Sequence, residues 1–142
     1  MPMSANVRVP VIDADSAPFW EAVAAHKLIA QKCAGCSRFI FYPRAICPFC
    51  HSAELSWEEL SGTGTVYSVT ISRRAPSPEF ADLVPYVVAL VDLDEGCRMM
   101  SNIVGYDASL AQCGSRVRVE FQPVADSQVL PMFVLTESQE RK

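Results

Sequence analysis

The sequence predicts a mostly-β chain: a short N-terminal helix, then a four-cysteine metal ribbon, then a five-stranded barrel. Three observations carry this. Cys33-Ala-Gly-Cys36 and Cys47-Pro-Phe-Cys50 are two Cys-x-x-Cys pairs with ten residues between them. Each pair turns both sulfurs toward one point, and two pairs complete a tetrahedron. Upstream, Phe19, Trp20 and Val23 fall on one side of a helical repeat. Downstream of Gly62 and Gly64, five segments with strand character follow one another, with a longer connection between the third and the fourth.

The helix is expected over residues 16–26. Ser16 is the expected cap, and Pro18 is tolerated in the first turn. The apolar side is expected to pack on the domain, and His26, near the helix end, to serve as a surface or capping residue. Leu28 to Cys33 reads as a strand leading into the first cysteine pair, with Gly35 freeing the turn. Arg38 to Tyr42 reads as the return strand, stopped by Pro43. Pro48 stiffens the second pair, and His51 falls outside the metal shell because four thiolates already fill it. Zinc is the expected ion, since tetrahedral four-sulfur sites are usually zinc or iron–sulfur; spacing alone leaves iron open. A saturated site of this kind has no open position for water or substrate, so its expected role is structural.

Residues 54–60 read as an extended bridge with Leu55 and Trp57 on one side. Gly62 and Gly64 mark a turn or bulge at the entry to a new sheet, and no lysine and helix follow to make a phosphate loop. In 65–72, Tyr67, Val69 and Ile71 are expected on one face and Ser68, Thr70 and Ser72 on the other. Residues 73–83 hold Pro76 and Pro78 and read as a loop. Residues 86–93 are nearly all apolar, as a central strand requires. Asp94-Glu95-Gly96 reads as a hairpin turn and 97–104 as the returning strand. One helical turn is expected at 108–111. Val117, Val119 and Phe121 alternate with charges, and 130–135 supply the last strand. This count and rhythm fit an OB-type Greek-key barrel; other small barrels fit the same pattern. The expected division is 1–26 for the N-terminal segment and helix, 27–60 for the zinc ribbon, and 61–142 for the OB-fold barrel and tail.

At 142 residues, half of them hydrophobic and a fifth charged, the chain can hold one ordinary core, or a small metal module plus one small domain. A net charge of −4 argues against a protein that coats nucleic acid. No apolar run approaches a membrane span, and Met1 to Asn6 leads into no signal-type stretch, so a reducing cytoplasm is expected. Cys97 and Cys113 are then expected to be structural thiols rather than nucleophiles. No Ser-His-Asp series, two-histidine metal motif or acid/base pair is recognisable.

In order along the chain stand Phe19-Trp20-Glu21, Gln31-Lys32-Cys33-x-x-Cys36, Tyr42-Pro43-Arg44, Cys47-Pro48-x-Cys50, Trp57 and Ser61-Gly62-x-Gly64-Thr65-Val66-Tyr67-Ser68. Pro85-Tyr86, Ala89 to Gly96, Gly114 and Val117-x-Val119-x-Phe121 follow. With this series the chain resembles the rubredoxin-like zinc ribbon plus OB-fold proteins known as domain of unknown function 35. The likeness runs over residues 15–123. It implies a non-catalytic accessory subunit of a thiolase-superfamily enzyme (a thiolase, an acyl-CoA aldolase or an acyltransferase). Such a subunit helps assemble the complex and shape the acyl-CoA channel, and the catalytic residues lie in the partner. It also implies a hetero-oligomer.

CoA would need cations for its phosphates, an apolar slot and a flat surface for adenine. The candidate residues are Phe19, Trp20, Lys32, Arg38 and Arg44 around the helix and ribbon, with Arg73 and Arg74 after the first barrel strand. The metal ligands are Cys33, Cys36, Cys47 and Cys50. The alternative reading is a nucleic-acid-binding zinc-ribbon/OB module, since both folds bind polynucleotides. The acidic balance and the sparse stacking aromatics on the expected strands weigh against it.

Overall fold

The computed structural model describes residues 10–124 and 128–136. The remaining residues, at the N-terminus, at 125–127 and in the C-terminal tail, lie outside the described residues. Among the described residues no helix is long and apolar enough to cross a membrane.

Helix α1 spans Ala17–Ala24 and buries Phe19 and Val23. Its start corrects one expectation. The Ser16 backbone is already helical, at φ −99° and ψ −7°, and its side chain makes no cap bond. The hydroxyl and the N–H of Ser16 instead donate to Asp13 Oδ1, at 2.8 and 2.9 Å. The Asp13 carboxylate thus closes the turn that leads into the helix. The helix ends in a Schellman arrangement: His26 N–H donates to Val23 O at 2.9 Å and Lys27 N–H to Ala22 O at 2.8 Å. His26 takes the left-handed position, φ 64°, and its ring stacks on Phe121 with centroids 5.2 Å apart.

Three short strands form the ribbon sheet in the order β2-β1-β3: β1 at Ile29–Cys33, β2 at Phe39–Ile40 and β3 at Leu55–Glu59. The second strand is shorter than the sequence suggests. Phe41 leaves it to meet Phe19 edge-on, with ring centroids 5.5 Å apart. Tyr42 then reaches across to the barrel, where its hydroxyl accepts the Met100 N–H at 3.2 Å.

The barrel is built from β4 (Thr63–Ser72), β5 (Tyr86–Leu93), β6 (Arg98–Ile103), β7 (Arg116–Pro123) and β8 (Val129–Leu135). It closes in the order β4-β5-β6-β8-β7, with β7 returning to β4. All pairings are antiparallel except the β6–β8 seam, which is parallel and registers only Ile103 with Phe133. Short 3-10 turns sit at Pro78–Phe80 and Ala108–Leu110, the second where a helical turn was expected.

The two entry glycines do different work. Gly62 has φ +83°, and a Cβ there would lie 2.6 Å from Val119 Cγ1. Gly64 lets β4 cross close to β5: a Cβ would sit 2.6 Å from the Asp92 carbonyl oxygen. The bulge comes later, between Val66 and Ser68, and overturns the expected face of Tyr67. The extra residue shifts the alternation, so Val66 and Val69 both turn toward the core and Tyr67 points outward. There the Arg98 guanidinium lies 3.6 Å from the Tyr67 ring centroid and pairs with Asp92.

One apolar core runs from α1 through Leu28 and Leu60 into the barrel, where Val91, Val117 and Phe133 are fully buried. The ribbon has a second, far smaller cluster of Cys33, Ile40 and Cys47. Of the two spare thiols, Cys97 is buried and Cys113 exposed.

Candidate metal centre and the predicted ligand residues

Strand β1 delivers Cys33 at its end, and the turn at Ala34–Ser37 brings Cys36 beside it. Phe39–Ile40 returns along β1, and the following loop carries Cys47 and Cys50 to the same point. A buried polar residue holds that loop in place. The Gln31 amide donates to Arg44 O and accepts from Arg44 N–H, both at 2.8 Å. Burying Gln31 is tolerable because both ends of its amide are satisfied. Gln31 stood in the sequence as part of a motif, without a role. A buried glutamine two residues before a ligand cysteine is the signal that sequence reasoning passed over.

The four sulfurs lie within 4.8 Å of one another. Cys33 and Cys50 are 3.5 Å apart, and Cys36 and Cys47 are 3.7 Å apart. A tetrahedron with zinc–sulfur bonds of about 2.3 Å has sulfur–sulfur edges of about 3.8 Å, so the donor set fits the ion. The backbone is already arranged for thiolates: Gly35 N–H donates to Cys33 Sγ at 3.3 Å and Phe49 N–H to Cys47 Sγ at 3.4 Å. Burial raises the Cys47 thiol, but the N–H groups of Cys50 and Phe49 outweigh it and bring the group down to about 6. At Cys50 the Ser52 N–H favours the thiolate, yet the Cys33 sulfur, burial and the two remaining sulfurs push the thiol up to about 12. Sulfurs this crowded do not all ionise unless a cation shares the site, and a bound dication removes the conflict. His51 is exposed, with φ 67°, in the turn after Cys50; the sulfur cluster is complete without it. Zinc here would supply a cross-link between the end of β1 and the two cysteine turns.

The structure does not gather the candidate CoA residues into one place. Phe19 and Trp20 meet edge-on, centroids 4.9 Å apart, and line a cleft between α1, the ribbon and the barrel. Lys32 lies over the Phe39 ring at 5.3 Å, and Arg38 over the Phe49 ring at 4.6 Å, both on the ribbon. The Arg44 side chain is exposed and donates to Tyr42 O at 3.2 Å. Arg73 lines a separate cavity at the β4–β5 loop, and Arg74 is exposed in that loop. The aromatics and the cations therefore have different surroundings: Phe19 and Trp20 share one cavity, while Arg73 lines another.

A closed four-thiolate ribbon seated on a five-strand barrel of this topology defines a zinc-ribbon/OB-fold protein. Comparison with known proteins gives the family. Residues 20–56 match the ChsH2 rubredoxin-like zinc ribbon domain, and residues 57–122 match the ChsH2 C-terminal OB-fold domain. A DUF35 domain-containing scaffold protein of Methanothermobacter thermautotrophicus is 36% identical over 102 residues, covering 71% of this chain and 76% of the relative. The chain belongs to the DUF35 family of ChsH2-type zinc-ribbon and OB-fold proteins. A probable enoyl-CoA hydratase alpha subunit of Thermomonospora curvata is 36% identical over 124 residues. That match takes in 87% of this chain but only 38% of the larger protein. Among solved structures, a chain of the Ltp2-ChsH2(DUF35) aldolase superposes with a TM-score of 0.79 at 35% identity, covering 89% of this chain and 98% of that one.

Proposed function

We propose that this chain is a non-catalytic accessory subunit of an acyl-CoA enzyme. It stabilises the complex and helps to bind or channel the acyl-CoA. Its catalytic partner belongs to the thiolase superfamily, as a thiolase, an acyl-CoA aldolase or an acyltransferase. The observation that carries this is the superposition on nearly the whole length of a DUF35 chain from a structure named as an aldolase. Two names add support: one relative is named as an alpha subunit of an enoyl-CoA hydratase, another as a scaffold protein. The site chemistry points the same way, since four thiolates saturate zinc and leave it no position for substrate.

The test is affinity capture of the full chain from its native host, followed by co-expression with whatever enzyme is recovered. A thiolase-fold partner, with acyl-CoA turnover that requires both chains, is the expected result. A chain that stays alone and binds single-stranded DNA with a steep salt slope would overturn it.

A further inference from the structure

We propose that the cleft at the β6–β8 seam is where the catalytic partner docks, and that it receives a partner segment bearing an apolar side chain next to Lys or Arg. This rests on the accessory-subunit reading. The barrel wall is weakest here, because β6 and β8 register at a single pair, Ile103 with Phe133. On the Met100 side of that pair one side chain bridges the strands and a ribbon residue caps the free β6 edge. Ser101 Oγ donates to Pro131 O at 2.7 Å, and Tyr42 takes the Met100 N–H. Pro131 brings no N–H of its own to the seam.

The splayed wall opens a cavity of about 450 Å3 roofed by α1 and the Phe41–Pro43 turn. Its floor and walls include Trp20, Phe41, Met99, Met100 and Met132. Flexible thioethers beside rigid rings make a surface that adapts to an inserted apolar side chain. The rim is acidic: Asp13 and Asp15 line the cavity, and no Lys or Arg does. The Ser16 hydroxyl and N–H hold the Asp13 carboxyl below its usual range, so it is ionised at neutral pH. Such a rim repels phosphates and attracts cations. It therefore suits a basic, apolar protein segment better than the nucleotide end of CoA, for which the exposed cations lie elsewhere. A second copy of this acidic chain, net charge −4, is the less complementary occupant.

The test places a photo-crosslinking residue in the full chain, Met100→p-benzoylphenylalanine, with Tyr106→p-benzoylphenylalanine as a control at a different, 97% exposed position. Zinc content and melting confirm that each variant folds. After irradiation in the native host, the Met100 variant is expected to link to a segment of the acyl-CoA enzyme that holds Lys or Arg beside an apolar residue, and the Tyr106 variant not to. Against the purified enzyme, Asp15→Lys is expected to weaken binding about tenfold and to flatten its salt dependence. Recovery of the enzyme with no Met100 product, or with unchanged binding by Asp15→Lys, overturns the cleft and spares the subunit reading. A Met100 product with a basic apolar segment of an unrelated protein keeps the cleft as a docking site for such a segment, but overturns its assignment to a catalytic partner together with the subunit reading. A product only with a second copy, or none at all, overturns the cleft.

Discussion

The ribbon and the barrel are held together by different means. The barrel has a continuous apolar core in which Val66, Val91, Val117 and Phe133 are almost wholly removed from water. The ribbon sheet joins that core through Ala30 and Trp57, but around its cysteines the ribbon buries only Ile40 and two of the cysteines, with Cys36 and Leu55 packed alongside. Hydrophobic burial scales with apolar area, so a cluster this small cannot order its loops unaided. A metal held by the four thiolates would order it. One chain would therefore contain a region whose folding is linked to a metal and a region whose folding is linked to packing.

The largest expected effect follows from removing the metal. In small zinc peptides the ion contributes on the order of 10 kcal/mol to folding. Cys47→Ser, or a strong chelator, is expected to release one zinc per chain and to unfold the 33–55 loops while the barrel persists. Metal analysis together with amide exchange mapped along the chain reads both halves. Protected ribbon amides after full zinc loss would show that the small cluster suffices and would erase the contrast. A red, iron-containing preparation would instead change the identity of the ion.

Next in size is the converse experiment in the barrel. Phe133 is fully buried and sits at the one registered pair of the β6–β8 seam. Phe133→Ala is expected to cost about 3–5 kcal/mol. The melting midpoint should fall by on the order of 10 °C, while folded protein still carries its full zinc. Loss of zinc in parallel with the barrel would mean that the two regions fold as a single unit, coupled through Leu28 and Leu60.

How much could be read from the sequence differs between the regions for the same physical reason. The metal site was legible because sulfur chemistry demands a fixed local spacing, and Cys33-x-x-Cys36 and Cys47-x-x-Cys50 state it outright. The strands were legible from alternation, as at Val117, Val119 and Phe121. The bulge at Val66/Ser68 was not: one extra residue in β4 leaves the composition unchanged but turns Tyr67 out to Arg98. The helix starts after Ser16 as expected, but the Ser16 side chain does not cap it, because Asp13 and Ser16 are both competent hydrogen-bonding residues and only backbone dihedrals decide which acts. Nor could the sequence separate Phe19 and Trp20 from the cations near them in order, since closeness along the chain is not closeness in a cleft.

The smallest effect lies where the two regions join. Ser61 leads from ribbon to barrel, and its N–H donates to Glu95 Oε2 at 2.8 Å. Beside it, Asp94 receives both terminal nitrogens of Arg116, at 2.8 and 2.9 Å, and the hydroxyl of Thr63. The Arg116 and Thr63 bonds hold the Asp94 carboxyl down to about 2 against the small penalty of burial. A folded-state pKa below the unfolded one adds stability that is complete above the unfolded value, near 4, and is lost as pH falls through about 2. Both partners are about two-fifths exposed, so solvent screening limits the contribution to about 1 kcal/mol or less. Asp94→Asn is therefore expected to lower stability slightly at pH 7 and to leave it nearly unchanged at pH 2. Urea midpoints of the barrel at the two pH values measure this. An equal loss at both would show that Asp94 acts through its second acceptor oxygen, which the amide replaces by a donor, and not through its charge.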